Sequence, residues 1–194
     1  MKRRTLKDYA GQIKAIVIAP SSHLGALIRD LMQYSIGTPD VMHVRSTGEA
    51  LEALLARRCN LILIDIGKPD RDVLALIDQV RKGHGTVPRE LPIIAMTHTP
   101  TLAVVEQLRD LGVNEILAIP VTAAHLTDRL KSVFEKPRGW VLSPRYVGPD
   151  RRRKKKAEGA SKQRRGTDDE VGDDALTLTD AVESSAPAAP HAKG

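Results

Sequence analysis

Five short aliphatic runs, each followed by a segment of helical period, decide what this chain can fold into. The runs are AIVIA (15–19), VMHVR (41–45), LILID (61–65), PIIAM (92–96) and EILAI (115–119). They are rich in Ile, Val and Leu and largely apolar at consecutive positions, as strands covered on both faces of a parallel sheet must be. The intervening segments repeat their apolar residues at helical spacing. Leu24, Leu27, Ile28, Leu31 and Met32 share one face of residues 24–34, and Ala50, Leu51, Leu54 and Leu55 share one face of residues 47–57. The second of these opens on Ser46-Thr47-Gly48-Glu49, a capping box. Residues 71–82, 101–111 and 122–134 complete the set, and Thr99-Pro100 predicts an N-cap followed by proline at the first helical position. Sustained from residue 14 to residue 134, the alternation predicts an α/β fold: a doubly wound, five-stranded parallel sheet of the flavodoxin-like kind.

In such sheets ligand chemistry lies at the carboxyl ends of the strands. Asp65 ends the third run, LILIDIGKPD, and is therefore the first candidate site residue. Aromatic residues make up 3% of the chain, so the core must be built from aliphatic side chains.

The flanks differ in kind. Residues 1–13 form a basic N-terminal extension without the long apolar stretch or small-residue cleavage site of a secretory signal. No segment approaches the roughly 18 apolar residues of a membrane span, and Cys59 is the only cysteine, so a soluble, cytoplasmic protein without disulfides is expected. From Glu135 the periodic pattern stops. Residues 135–194 read as a basic, then acidic, largely disordered tail, with disorder expected from about Gly148 onward. Its basic block is Arg151, Arg152, Arg153, Lys154, Lys155 and Lys156, followed by the acidic stretch 168–174 and an Ala/Pro-rich end. A short helix over 173–183 is compatible with the composition there.

Residues 14–134 resemble the receiver domain of bacterial two-component response regulators. The likeness rests on four pieces in order: LILIDIGKPD as the phospho-acceptor strand and loop, PIIAMTHT as the strand ending in a switch hydroxyl, LGVNEILAIPVT as the last strand with its following proline, and STGEALEAL as the second helix of the family. The resemblance implies Asp65 as phospho-acceptor, Thr97 as switch hydroxyl, and Gly67, Pro69 and Pro120 as loop and strand-end positions. It also implies protein partners, such as a histidine kinase or another regulator. Tyr146 to Arg153, YVGPDRRR, is similar to an ending found in alphaproteobacterial-type receivers.

Four positions depart from the family pattern. Ala19 and Pro20 stand where the family has the paired acids that hold Mg²⁺, and Ile119 stands where it has a lysine. Ile116 replaces a common switch aromatic. Mg²⁺ takes hard oxygen ligands in near-octahedral geometry, and a phosphoryl group adds about −1.5 to −2 charge at pH 7. Without the metal and the cation, transfer loses several kcal/mol of stabilisation, roughly tenfold in rate per 1.4 kcal/mol. The losses also agree with one another, because removing the acids alone would strand a lysine in a half-buried cleft. The expectation is a pseudo-receiver acting by protein–protein binding, with weak or absent phosphorylation of Asp65 and no cofactor. Mg²⁺ enters only under the alternative of a working phosphorelay regulator.

The remaining features are plainer. Ser21 and Ser22 read as N-caps, and Cys59 as a small apolar residue. His84 and His98 lack partners at metal-ligand spacing, and GKPD is not a phosphate loop. No nucleophile–base constellation is present, so the chain is not expected to be an enzyme. No output domain is expected after the receiver-like segment. The basic block allows a third reading, salt-sensitive contact with nucleic acid or an anionic membrane surface, although no aromatic is interleaved in it to stack on bases.

Overall fold

The computed structural model describes residues 4–56, 59–67, 71–83 and 87–152. The strands β1 (Lys14–Ile18), β2 (Asp40–Val44), β3 (Leu61–Asp65), β4 (Ile93–Thr97) and β5 (Glu115–Ala118) form one parallel sheet in the order β2-β1-β3-β4-β5. The order reverses between β1 and β3, which puts the crevice of a doubly wound sheet at the carboxyl ends of those two strands. The helices are α1 (Leu6–Ala10), α2 (Ser22–Asp30), α3 (Thr47–Ala56), α4 (Arg71–Lys82), α5 (Leu102–Asp110) and α6 (Ala123–Phe134). A π-helical segment, Leu31–Ile36, continues α2 and ends on Gly37 in the left-handed region. No helix of the described residues is long and apolar enough to cross a membrane.

Strand alternation sorts the core into two layers. Ala15, Val17 and Ala19 join Leu61 and Leu63, Ile94 and Met96, and Leu117 against α1, α2 and α6. Ile16, Ile18, Ile62, Ile64, Ile93 and Ala95 face the other way, against α3, α4 and α5. Both layers are aliphatic, as the low aromatic content requires.

Local signals hold with small shifts. Ser21 caps α2, accepting from the Leu24 N–H at 3.3 Å. Ser46 accepts from the Glu49 N–H at 3.2 Å, and the Glu49 carboxylate accepts from the Arg45 N–H at 3.0 Å, one residue before the expected capping-box donor. The cap of α5 is Thr101, not Thr99, and accepts from the Val104 N–H. Pro100 consequently lies outside the helix.

The flanks need correction. Within the N-terminal extension residues 4–13 are packed: Leu6, Ala10 and Ile13 are buried, and Tyr9 meets Phe134 of α6 with ring centroids 5.7 Å apart. The Glu135 carboxylate accepts from the Leu6 N–H at 2.6 Å, so the end of α6 caps α1. Residues 140–149, assigned to the tail, form an antiparallel hairpin of β6 (Trp140–Ser143) and β7 (Tyr146–Pro149). The Pro and Gly that read as turn signals sit at the hairpin connection (Pro144) and at close contacts (Gly148). Residues 153–194 lie outside the described part, including most of the basic block and the helix expected over 173–183.

A buried guanidinium ties the hairpin to the sheet. Arg81, near the end of α4, is 2% exposed. Its Nε donates to the Gly112 carbonyl at 2.8 Å, and Nη1 donates to the carbonyls of Arg89 and Leu91 at 2.7 and 2.8 Å. Its Nη2 donates to Asn114 Oδ1 at 2.9 Å, and Trp140 covers it at 5.2 Å from the ring centroid. Burial pushes its pKa down to about 10, so it stays charged at neutral pH. A cation with a depressed folded pKa carries its burial cost at every pH below that value. Those four hydrogen bonds and the indole face therefore have to offset it. Replacing Arg81 with Met is expected to leave buried carbonyls without donors and to lower unfolding stability by at least ~3 kcal/mol. Urea denaturation followed through Trp140, the only tryptophan, checks this.

Candidate functional site

The carboxyl edge of the sheet gathers the residues singled out in the sequence. The β1–β3 pairs run from Ala15 with Leu61 to Ile18 with Ile64, so the next step of the register sets Ala19 beside Asp65. On the other side Asp65 pairs with Met96, and Met96 with Leu117. By strand alternation Ala19, Asp65 and Ile119 therefore share one face at one end of the sheet, the face of α2 and α6. Thr97 and Ala118 pair, and the Ile119 N–H donates to the Thr97 carbonyl at 2.8 Å.

Asp65 is half-buried, and its Oδ1 accepts from the Gly67 N–H at 2.9 Å. This is an Asx turn, in which the carboxylate shapes its own loop. Gly67 has φ +52°, a conformation that glycine reaches without a side-chain clash. Lys68, Pro69 and Asp70 lie outside the described residues. Asp72 is in the first turn of α4. Thr97 is 1% exposed, and its Oγ1 accepts from the Thr99 N–H at 3.2 Å. The Ile119–Pro120 peptide is cis, and Pro120 is exposed.

The neighbours of Asp65 are apolar and packed. Ala19 is fully buried within the aliphatic layer under α2 and α6, and Ile119 packs against that layer. Pro20 is exposed. The backbone carbonyls of this β1–α2 loop are engaged from β2 and the residue after it. His43 Nε2 lies 2.9 Å from the Ala19 carbonyl, and Arg45 Nε donates to the Pro20 carbonyl at 3.4 Å. Gly25 of α2 makes room for the imidazole: a Cβ at Gly25 would stand 2.2 Å from His43 Nε2. The sequence carried no sign of this arrangement beyond a histidine in a strand and a glycine in a helix.

Among the described residues, this edge does not hold the set of carboxylates that Mg²⁺, which the fold family implies, would take. One carboxylate, Asp65, stands at this edge among the described strand residues, and no group of three His, Cys, Asp or Glu among the described residues could hold a metal ion. The two strand-end positions that would supply further carboxylates are a buried alanine and a proline.

A second charged cluster lies at the opposite end of the sheet. Glu115, the first residue of β5, is 7% exposed and accepts from Ser132 Oγ at 2.6 Å, Arg138 Nη2 at 3.2 Å and Arg129 Nη1 at 3.4 Å. A cleft of about 150 Å³ beside it is lined by Pro92, Asn114, Ser132, Arg138 and Trp140, among others. Read from sequence alone, Glu115 passed as the polar start of a strand, because its partners come from α6 and the segment after it.

The sequence model of the response regulator receiver domain matches residues 16–131. Solved structures of similar fold include a chemotaxis protein of Vibrio cholerae, 18% identical over 63% of this chain and 98% of that one, with a TM-score of 0.56. A putative pilus assembly-related protein from Burkholderia pseudomallei is 21% identical over 63% of this chain and 89% of that one, with a TM-score of 0.54. An orphan response regulator of H. pylori is 15% identical over 63% of this chain and 96% of that one, with a TM-score of 0.52. These identities carry the fold alone; the family match, which covers more than half of the 194 residues, carries the ancestry. With its strand order and its aspartate at the end of β3, the chain belongs to the response regulator receiver domain family of two-component signalling.

Proposed function

We propose that this receiver acts by binding a protein partner, with phosphorylation of Asp65 weak or absent, and that it is not an enzyme. The observation that carries this reading is the packing of Ala19 and Ile119 into the aliphatic layer that flanks Asp65. A phosphoryl group on Asp65 would add about −1.5 to −2 charge. On the same face Ala19 of the adjacent β1 end would present a methyl group, Met96 of β4 a thioether, and Ile119 beyond β5 a branched alkyl chain, none of them a carboxylate for Mg²⁺ or a cation. Electrostatic stabilisation is the main source of phosphoryl-transfer catalysis, and the edge is poor in it. Binding uses the α5–β5–α6 face, where Leu102 at the start of α5 is 66% exposed. The partner is a histidine kinase or another regulator, and the protein works in the cytoplasm.

A second reading, a working phosphorelay regulator, is favoured by Asp65 at the crevice and Thr97 at the end of the next strand. Contact with nucleic acid through the basic block draws on residues outside the described part, apart from Arg151 and Arg152.

Intact-mass spectrometry after incubation with acetyl phosphate and Mg²⁺, with Asp65→Asn as control, separates the first two readings. No adduct is expected on the folded wild type. An adduct that disappears in Asp65→Asn would establish the phosphorelay reading in its place. The triple variant Ala19→Asp, Pro20→Asp, Ile119→Lys is expected to gain an Mg²⁺-dependent adduct. It is also expected to lose stability by roughly 2–4 kcal/mol, because it brings charge to a packed position. Thermal unfolding of the triple variant checks the second effect.

A further inference from the structure

The described chain ends in contacts that use the residues YVGPDR (146–151) one by one. Tyr146 Oη donates to the Pro149 carbonyl at 2.7 Å, and its ring carries the Arg151 guanidinium 3.8 Å from the centroid. Arg151 Nη1 also pairs with Asp110 Oδ1 at 2.7 Å. The Asp150 N–H donates to the Gly139 carbonyl at 2.7 Å, closing the base of the hairpin. Gly148 permits a close backbone approach: a Cβ there would stand 2.7 Å from the Gly112 Cα and 2.6 Å from Tyr146 Oη. Gly112 answers it with φ +81°, and a Cβ there would meet the Val147 carbonyl at 2.5 Å.

We propose that this hairpin is a clasp of two parts: a seated base, formed by Trp140 over Arg81 and Gly148 against Gly112, and a releasable latch, Arg151 held between Tyr146 and Asp110. In the base Arg81, Gly112 and Gly148 are buried and Trp140 is half-buried, and the two glycines meet backbone to backbone. The latch is electrostatic and half-exposed, with side-chain exposures of 45% for Arg151 and 67% for Asp110. A pair of that kind is weak and sensitive to salt, and stacking on Tyr146 adds to it.

The placement of Asp110 supports the latch. It is the last residue of α5, where the helix dipole disfavours a carboxylate. Arg151 brings a cation to this carboxylate, beside Arg109 in the same last turn. The acid breaks a local rule, and the latch is the compensating gain. Position gives the latch a regulatory sense. The helix α5 starts beyond the Thr97 edge and ends at the latch, about 13 Å away for nine residues at the usual rise. A displacement of α5 by a partner therefore acts directly on the place where the basic run begins. The clasp does not require Asp65 to accept a phosphoryl group.

Hydrogen exchange of the full chain at low salt, read by mass spectrometry, tests it. Amides of 140–150 are expected to exchange well below the rate of an unstructured peptide. Arg151→Gln is expected to raise exchange over 146–152 by about two- to fivefold, the range of an exposed charge pair, while β4 stays unchanged. Asp110→Asn should give the same increase, and the double variant no more than either single change. About 1 M salt should reproduce the effect in the wild type and add nothing to Arg151→Gln. Gly148→Ala, which strikes the base, should release the whole hairpin and exceed both. The clasp is overturned if residues 140–150 of the wild type exchange as an unstructured chain. It is equally overturned if Arg151→Gln and Asp110→Asn leave 146–152 unchanged or act additively.

Discussion

Covering both faces of the parallel sheet is the constraint from which the rest follows. β1, β3 and β4 lie inside the sheet, and their side chains alternate between two aliphatic layers, one under α2 and α6, the other under α3, α4 and α5. With nearly every strand position claimed by a core, polar chemistry is confined to strand ends. The same alternation then dictates which end residues can meet. Ala19, Asp65 and Ile119 fall on one face, so their chemistry is collective: a carboxylate there is as useful as its neighbours are charged. Here the neighbours complete the core instead, and the β1–α2 loop is held by His43 and Arg45 reaching its carbonyls.

Charge has not been purged from the interior, which makes its absence at that edge informative. At the amino end of the sheet the fold buries a glutamate among three donors, and an arginine among three carbonyls, an asparagine and an indole. Both sites surround the buried ion with hydrogen-bond partners, four bonds for Arg81 and three for Glu115, the condition under which burial is tolerable. They also hold the extensions: Arg138 meets Glu115, and Trp140 covers Arg81. The buried ions thus act as anchors for the C-terminal hairpin, while the edge that carries Asp65 has become more apolar.

What the sequence revealed was what depends on period and composition. The five strands appear within one residue of their expected bounds, and Ser21 caps α2 as its type predicts. The hairpin escaped because its Pro and Gly residues mimic a linker, and its stability comes from Arg81, some sixty residues earlier, which no local window contains. The short helix α1 escaped for the same reason: Leu6 and Ile13 are ordinary residues until α6 lies against them. Thr101 displaced Thr99 as the cap of α5 because a proline one residue before the cap suits the extended backbone there as well as it suits a first helical turn. The candidate site was legible as a set of positions. How Ala19 is packed, and that His43 fits over Gly25, required the fold.

Asp65 itself is the weakest guide to what the edge does. Its carboxylate accepts from Gly67 and thereby shapes the turn that leads from β3 toward α4, with Gly67 in a left-handed conformation. That local duty is enough to retain an aspartate at the end of β3 whether or not it ever carries a phosphoryl group, since Asp is among the residues that form such turns most readily. Thr97 has a comparable duty in holding the Thr99 N–H. Residues with two possible reasons for being present discriminate poorly between functions. Ala19 and Ile119 have one visible reason each, packing, and neither side chain can coordinate a metal ion or neutralise an added charge. Ala19 and Ile119 therefore bear more directly than Asp65 on whether this receiver takes a phosphoryl group.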